Sequence, residues 1–445
     1  MASRRSSLSG FPEWTPAQQS VENKVVDVLA HTFQLHGFTS LQTRCVEPLD
    51  VLLRKGEIDK EVYGVRRLAE LAGADASAES LALHFDLTVP FARYVVENAG
   101  TLVFPFRRYQ IQKVWRGERP QEGRYREFVQ ADIDIVDRDI LPFHYEVEVA
   151  LVMAEAFARL QDLGLPAITI RVNNRKLVEG FARGAGAADS AAVLRALDRL
   201  DKMGAQRVRA DLVEAGLDEA GAASCLALAG IRGGVEVIDQ VRQLGVGHDL
   251  LEEGLAELAA VLSAAAEQAP GALVADLSIA RGLDYYTGTV YESTMRGLAS
   301  VGSVCSGGRY DSLAGDGKQT YPGVGISFGL TRALGVLFGR GLTADRSVPS
   351  CVLVALPSED TRPVARQRAA ALRARGIAAQ VMPSPDKFGK QIRFADRRGI
   401  PYVWFPGPDG EPDSVKDIRT GEQVQADAGS WTPPQADLTP QVVPG

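Results

Sequence analysis

Arg281-Gly282-Leu283-Asp284-Tyr285-Tyr286-Thr287-Gly288 sets an arginine, a buried-looking aspartate and two tyrosines into a glycine-punctuated strand pattern. That combination suits a polar pocket holding an anion and an aromatic-sized ligand together. A second glycine-rich run, Ser306-Gly307-Gly308-Arg309-Tyr310-Asp311, follows close behind. Strand-like sequence runs from Leu273 through both. Gly323-Val324-Gly325-Ile326-Ser327-Phe328-Gly329-Leu330-Thr331-Arg332 then reads as a strand entering a helix through small residues, which let a ligand approach the backbone closely.

Working back toward the N-terminus, the stretches Leu81 to Val89, Leu102 to Trp115 and Arg126 to Asp137 are strand-like. Between Phe128 and Ile135 the alternation is clean. Val129, Ala131, Ile133 and Ile135 take one face, and Gln130, Asp132 and Asp134 the other. A polar face on a strand in the middle of a large domain either meets solvent or floors a polar pocket. Asp86 and Thr88 read as sharing a strand face, so one can accept from an ammonium while the other bonds a carboxylate. The later two arms flank Gly117 to Glu127, a charged connection far longer than a hairpin needs. With four arginines nearby it suits phosphates or nucleic acid; a solvated charged loop is the plainer alternative.

Ahead of these strands, Thr15-Pro16-Ala17-Gln18 is a capping box with proline at the first helical position, and Gly37 is a plausible stop for the helix it opens. Phe38 to Leu53 could supply a strand at a subunit interface. Residues 175–268 are rich in Ala, Leu, Arg, Glu and Asp at helical spacing and predict a mainly helical insertion. Beyond Pro349 short apolar strands alternate with amphipathic helices, which predicts a small α/β domain with a mainly parallel sheet. Within it Lys387, Lys390 and Arg393 cluster at helical spacing, as phosphate contacts would favour, although a charge run is usually just a solvated face. The proline-bearing tail beyond Trp431 reads as loose.

The 445 residues exceed one ordinary core and carry a formal charge of −7, so any nucleic-acid partner needs a local basic surface. Four scattered cysteines form no C-x-x-C pair, which speaks against a zinc knuckle or disulfide framework and fits a reducing cytoplasm. No apolar run is long enough to span a bilayer, and the polar start lacks the apolar core of a signal peptide, so the expectation is a soluble cytoplasmic protein without a membrane partner. Neither a P-loop nor a dinucleotide-binding glycine motif is present.

Taken together, these segments resemble the histidyl-tRNA synthetase family of class II aminoacyl-tRNA synthetases. Arg281 to Gly288 and Ser306 to Asp311 are similar to its two histidine signatures. Arg116-Gly117-Glu118-Arg119-Pro120-Gln121 with Gly123-Arg124-Tyr125-Arg126 resembles motif 2, Gly323 to Arg332 resembles motif 3, and the resemblance extends from Gly10 to about Thr420. Arg44, His84 and Thr331 stand where the family usually has proline, arginine and glutamate.

The resemblance implies an α+β fold: a class II antiparallel sheet with flanking helices, a helical insertion, and a C-terminal α/β anticodon-binding domain. Domains would be residues 1–180 and 266–342 for the catalytic body, 181–265 for the insertion and 349–445 for the anticodon domain. It implies joining of L-histidine to tRNA(His) through a histidyl-adenylate, with ATP as substrate, Mg²⁺ bound with the ATP rather than in a protein metal site, and a homodimer.

Arg116 and Arg281 would be catalytic. Asp86, Thr88, Gln130, Asp134, Tyr286 and Tyr310 would form the histidine pocket. Arg116, Glu118, Arg124 and Arg332 would bind ATP. Arg119 and Gln121 would meet the tRNA acceptor end, and Lys387, Lys390 and Arg393 the anticodon side. Two other readings are a non-catalytic regulatory paralogue and a tRNA-sensing module; retention of Arg116, Arg281, Arg332 and the C-terminal domain speaks against the first.

Overall fold

The protein is described by a computed structural model covering residues 8–53, 61–68, 80–280, 282, 285–315, 317–408 and 411–444. Arg281, Leu283 and Asp284 of the first signature lie outside the described residues. The chain divides into two compact units, one of Met1–Pro12 with Val26–Val336 and one of Glu13–Val25 with Leu337–Gly445.

A nine-stranded sheet organises the first unit. In chain order its strands are β1 (Thr39–Ser40), β2 (Phe106–Trp115), β3 (Glu127–Val136), β4 (Ile168–Asn174), β5 (Arg232–Gly233), β6 (Leu273–Asp276), β7 (Thr289–Met295), β8 (Cys305–Tyr310) and β9 (Gly323–Gly329). Their spatial order is β1-β2-β3-β9-β8-β7-β4-β6-β5, antiparallel except for the pairs β1–β2 and β4–β6. Both glycine-rich strands therefore sit at the centre, with β9 against β3 in a register that opposes Ser327 to Asp132 and Gly325 to Asp134. The helix His144–Asp162 buries Val149, Met153 and Phe157 against this sheet, and Phe157 meets Phe328 of β9 edge to face at 5.3 Å.

Residues between β4 and β6 form the expected helical segment. Its first and last helices, Arg175–Gly184 and Asp249–Gln268, cross through a reciprocal glycine contact. A Cβ on Gly180 would stand 2.2 Å from Leu251 N, and one on Gly254 2.2 Å from Leu177 N.

Two local expectations fail. Asp86 and Thr88 do not lie on a strand: the strand ends at Leu83 and Thr88 opens the helix Thr88–Asn98. Asp86 Oδ1 accepts the Val89 backbone N–H at 3.0 Å, satisfying a first-turn donor. The apolar positions Leu87, Phe91 and Val95, each fully buried, follow the helical period rather than alternation.

The second unit holds a five-stranded sheet in the order Ala379–Val381, Val352–Val354, Tyr402–Phe405, Ser414–Asp417, Gln423–Gln425. The first three strands are parallel and the last two antiparallel. The capping box forms as read: Gln18 Oε1 accepts from both Thr15 N and Thr15 Oγ1 at 3.0 Å, and the helix runs Pro16–Leu35. The tail is not loose. Asp437 accepts from Tyr402 Oη at 2.6 Å and from Arg419 at 2.8 Å, and Val442–Val443 pairs with Thr343–Ala344. Prolines remove donors, but the intervening Asp437 carboxylate finds fixed partners.

Candidate active site

The hairpin of β2 and β3 delivers most of the site. A cavity of about 440 Å³ opens above β3, β7, β8 and β9; Arg116, Glu118, Arg124, Gln130, Tyr286 and Arg332 are among its walls. A smaller recess of about 20 Å³ shares Tyr285, Tyr286, Ser306 and Ser327 with it and adds Thr88, Asp132, Asp134 and Tyr310.

Arg116 is aimed by its surroundings. Its Nε donates to Phe85 O at 3.2 Å, and its guanidinium lies 4.3 Å from the Phe85 ring centroid and 5.2 Å from that of Phe128. Two aromatic faces and a carbonyl hold the plane of the fork while its outer N–H groups remain available. Glu118 stands 3.9 Å from Arg116 and 3.7 Å from Arg124, so one carboxylate spaces two guanidiniums. The loop between them is closed by reciprocal backbone bonds, Gln121 N–H to Arg124 O at 3.3 Å and Arg124 N–H to Gln121 O at 2.8 Å, around Gly123 at φ +70°. This inner turn leaves Arg119 and Gln121 exposed.

Arg332 lies in the first turn of the helix Leu330–Gly339, next to Thr331, whose hydroxyl accepts the Val129 backbone N–H at 2.8 Å and so ties helix to strand. Arg332 donates to Val301 O at 2.6 Å, while its buried Nε has no hydrogen-bond partner. Burial lowers its pKa, and the nearby positive charges of Arg124 and Arg116 lower it further. Three guanidiniums facing one cavity make a site that an anion relieves.

The recess is built differently. Asp134, 3% exposed, is held by Arg108 at 2.7 Å on Oδ2 and by the Tyr310 hydroxyl at 2.7 Å on Oδ1. Arg108 is itself fully buried and lies 4.4 Å from the Phe91 ring centroid. Gln130 Nε2 donates to Ser327 Oγ at 2.6 Å. Burial raises the Tyr310 and Tyr286 phenols, with the Asp134 charge acting the same way, so both stay neutral donors.

The signature glycines are explained by contact. A Cβ on Gly325 would come within 2.1 Å of Asp134 Oδ1, one on Gly323 within 2.5 Å of the Tyr310 ring, and one on Gly308 within 2.7 Å of the Tyr286 ring. Side chains there would displace the pocket's own polar groups.

Of the residues singled out from sequence, Thr88, Gln130, Asp134, Tyr286 and Tyr310 converge on the recess or its mouth, and Arg116, Glu118, Arg124 and Arg332 on the larger cavity. Asp86 lines neither cavity, and Lys387, Lys390 and Arg393 belong to the second unit. Sequence reading assigned no part to Arg108, although antiparallel pairing sets it directly opposite Asp134. Nor did it assign one to Asp132, Ser327 or Glu292, the last lining the cavity with Arg171 behind it at 2.8 Å. Alternation put Asp132 on the polar face without a role; the cross-strand partners needed the register.

This geometry has close counterparts. The family model for histidyl-tRNA synthetase matches residues 10–333, and that for an anticodon binding domain matches residues 350–429. A histidine–tRNA ligase from Cutibacterium acnes is 59% identical, over 98% of this chain and 98% of its own length. One from Micrococcus luteus is 57% identical over 99% of each. The crystal structure of histidyl-tRNA synthetase from a Nostoc species superposes with a TM-score of 0.84 at 32% identity, covering 96% of this chain and 97% of that one. Identity at this level over both units, on a sheet whose glycines are fitted to the pocket side chains, places the chain in the histidyl-tRNA synthetase family.

Proposed function

We propose that the recess and the adjoining end of the larger cavity hold histidine, that the rest of the larger cavity holds ATP, and that the chain joins histidine to tRNA through a histidyl-adenylate. Near-full-length identity to histidine–tRNA ligases supports the ligase reading over a regulatory paralogue or a tRNA-sensing module. The observation that carries the assignment of the two cavities is their contrast. One is lined by Arg116, Arg124 and Arg332; the other is floored by the Arg108–Asp134–Tyr310 chain.

In this reading the histidine carboxylate attacks the α-phosphorus of ATP and pyrophosphate leaves. Arg116 meets the carboxylate and α-phosphate, Arg124 and Arg332 take the outer phosphates, and Glu118 lies on the adenine side. Fixed cations stabilise the charge that builds on the phosphoryl oxygens during attack. Arg281 is given the same task on the strength of the signature alone. Tyr310 and Asp134 bond the imidazole; such polar partners reject apolar side chains of similar size because they would be left unpaired. Thr88, Gln130 and Tyr286 complete the pocket, and Asp86 bears on it through its charge, which adds to the burial that raises the Asp132 and Tyr286 pKa values.

The described residues contain no group of three or more His, Cys, Asp or Glu side chains placed to hold a metal ion, so Mg²⁺ is proposed to enter on the phosphate oxygens of ATP. Arg119 and Gln121 reach for the tRNA acceptor end, and Lys387, Lys390 and Arg393 for the anticodon side, with residues 349–445 as the anticodon domain and 181–265 as the insertion. We further place the protein in the cytoplasm as a homodimer; no helix among the described residues is long and apolar enough to cross a membrane.

Exchange of labelled pyrophosphate into ATP should depend on histidine and on no other standard amino acid. Exchange supported by a different amino acid, with none from histidine, would overturn the substrate assignment.

A further inference from the structure

The chemistry above uses neither the Thr287-Gly288 end of the first signature nor Arg309 and Asp311 of the second. Alternation along β8 explains why Arg309 misses the pocket. Ser306 and Tyr310 line the recess, so Arg309 belongs to the opposite face of the sheet, the one that the helix His144–Asp162 covers. There it meets Glu146, which is fully buried in the first turn of that helix.

Glu146 Oε1 accepts from Arg309 Nη1 at 2.9 Å, and its Oε2 accepts the Thr289 backbone N–H at 2.9 Å. Arg309 Nε donates to Asp311 Oδ1 at 3.0 Å, and Asp311 Oδ2 accepts from the Thr287 hydroxyl at 2.6 Å. The Thr287 backbone N–H donates to Arg309 O at 2.9 Å. One carboxylate behind the sheet therefore holds both signatures, tying the chain on either side of Gly288. The clamp requires a glycine at that point: a Cβ on Gly288 would stand 2.9 Å from both Arg309 Cδ and Glu146 Oε2. A buried ion pair contributes little net stability after its desolvation, but its bonds have fixed length and direction.

What the clamp fixes lies on the other face. Tyr286, just before Thr287, is a wall of both cavities. Its ring lies against Gly308, just before Arg309, where a Cβ would come within 2.7 Å of it. Each member of the Tyr286–Gly308 contact is thus the chain neighbour of a clamped residue. The Tyr286 backbone N–H donates to Gly282 O at 2.8 Å, a bond inside its own turn that sets the turn's shape but not its seat on the sheet.

We propose that the Glu146–Arg309 pair positions Tyr286 as a wall of the histidine pocket, acting from behind the sheet without touching the ligand. The proposal rests on the recess and the adjoining cavity end holding histidine. Glu146 and Arg309 are positioning residues, and neither lines either cavity.

Histidine-dependent pyrophosphate exchange on the full-length protein tests this. Glu146→Gln keeps the side chain's shape but must turn its NH2 toward Arg309 or toward the Thr289 N–H. Both are donors, so one bond is lost either way. The KM for histidine should rise about tenfold while the KM for ATP stays within about twofold, because Arg116, Arg124 and Arg332 stand on other elements. Tyr286→Ala alone should also weaken histidine. Adding Glu146→Gln to it should raise the KM by less than about twofold more, since the clamp then has no ring to place. An unchanged histidine KM in Glu146→Gln, whatever happens to its urea midpoint, overturns the proposal. So do effects of the two changes that multiply in full.

Should Glu146→Gln not fold, Thr287→Val takes its place, since it removes only the hydroxyl bonded to Asp311 and keeps the volume. Its histidine KM should rise about threefold, but not in the Tyr286→Ala background, and an unchanged KM overturns the proposal. Where exchange is too slow to give a KM, the histidine Kd from calorimetry replaces it with the same expectations. A wild type whose exchange ignores histidine fails the reading of the pocket itself. A wild type that uses histidine but is indifferent to Glu146→Gln fails only the clamp.

Discussion

Gln130, Asp132 and Asp134 on β3 are 8%, 2% and 3% exposed, whereas Lys387, Lys390 and Arg393 at the helix Phe388–Arg397 all stand in solvent. Both runs are polar residues at the spacing of their secondary structure. On the strand every charge is out of water, so each needs a named partner at a fixed distance, and the loss of one partner strands the other. On the helix the charges are hydrated. Lys390 has Asp386 at 3.2 Å across an exposed pair, and such contacts are worth little. Burial turns charge into geometry, while exposure leaves it as a local potential that salt can screen.

Removing a buried partner should have the largest effect. Arg108→Ala removes the cation that neutralises buried Asp134 and should destabilise the protein by about 3–5 kcal/mol in urea unfolding. A loss under about 1 kcal/mol would mean that the pocket does not depend on this pair. Next comes the signature arginine. Arg281→Ala should keep the fold and histidine binding while slowing adenylate formation by about two to three orders of magnitude, read by rapid quench. An unchanged rate removes Arg281 from the mechanism.

The two regions also differ in how far their sequences could be read. Alternation from Phe128 to Ile135 revealed the pocket face because a strand buried on both sides still separates apolar from polar residues by parity. The same rule misled at Asp86 and Thr88. Phe85, Leu87 and Val89 alternate for five residues, yet Leu87, Phe91 and Val95 carry the helical period that wins once Asp86 accepts the Val89 N–H. Arg108 was illegible because its role comes from pairing with a residue on the neighbouring strand. In the second unit the alternation of short strands with helices and the helical spacing of Lys387, Lys390 and Arg393 were plain from pattern. The tail was misread because four prolines outweighed Asp437, whose partners Tyr402 and Arg419 lie far off in sequence.

A smaller effect sharpens the account of the buried face. The folded-state pKa of Asp132 is raised from 3.8 to about 7, so its contribution to stability is full below about pH 4 and is lost as pH rises through about 7. Asp132→Asn should therefore be more stable than wild type at pH 8 by at least about 1 kcal/mol, with the gap closing toward pH 4. Chemical unfolding at the two pH values checks this. Equal stability at pH 8 would show that the carboxyl is compensated within the fold.

Single losses on the exposed helix should be the mildest. Each of Lys387→Ala, Lys390→Ala and Arg393→Ala should weaken tRNA binding similarly for all sequences and lower the salt slope by about one. Truncation at Pro349 is a poor substitute for these variants. The second unit includes Glu13–Val25 and Leu337–Gly445, so the cut would remove the Gln441 partner of Lys24 and divide a folded body.

The measurement that bears most directly on the separation of buried chemistry from exposed recognition uses Lys387, Lys390 and Arg393 all changed to alanine in the full chain. Histidine-dependent pyrophosphate exchange and tRNA charging are followed on one preparation at low and moderate salt. The account predicts exchange at the wild-type rate and charging that falls steeply, with most of its salt dependence gone. Exchange and charging falling together, or charging that keeps its wild-type rate and salt dependence, would contradict it.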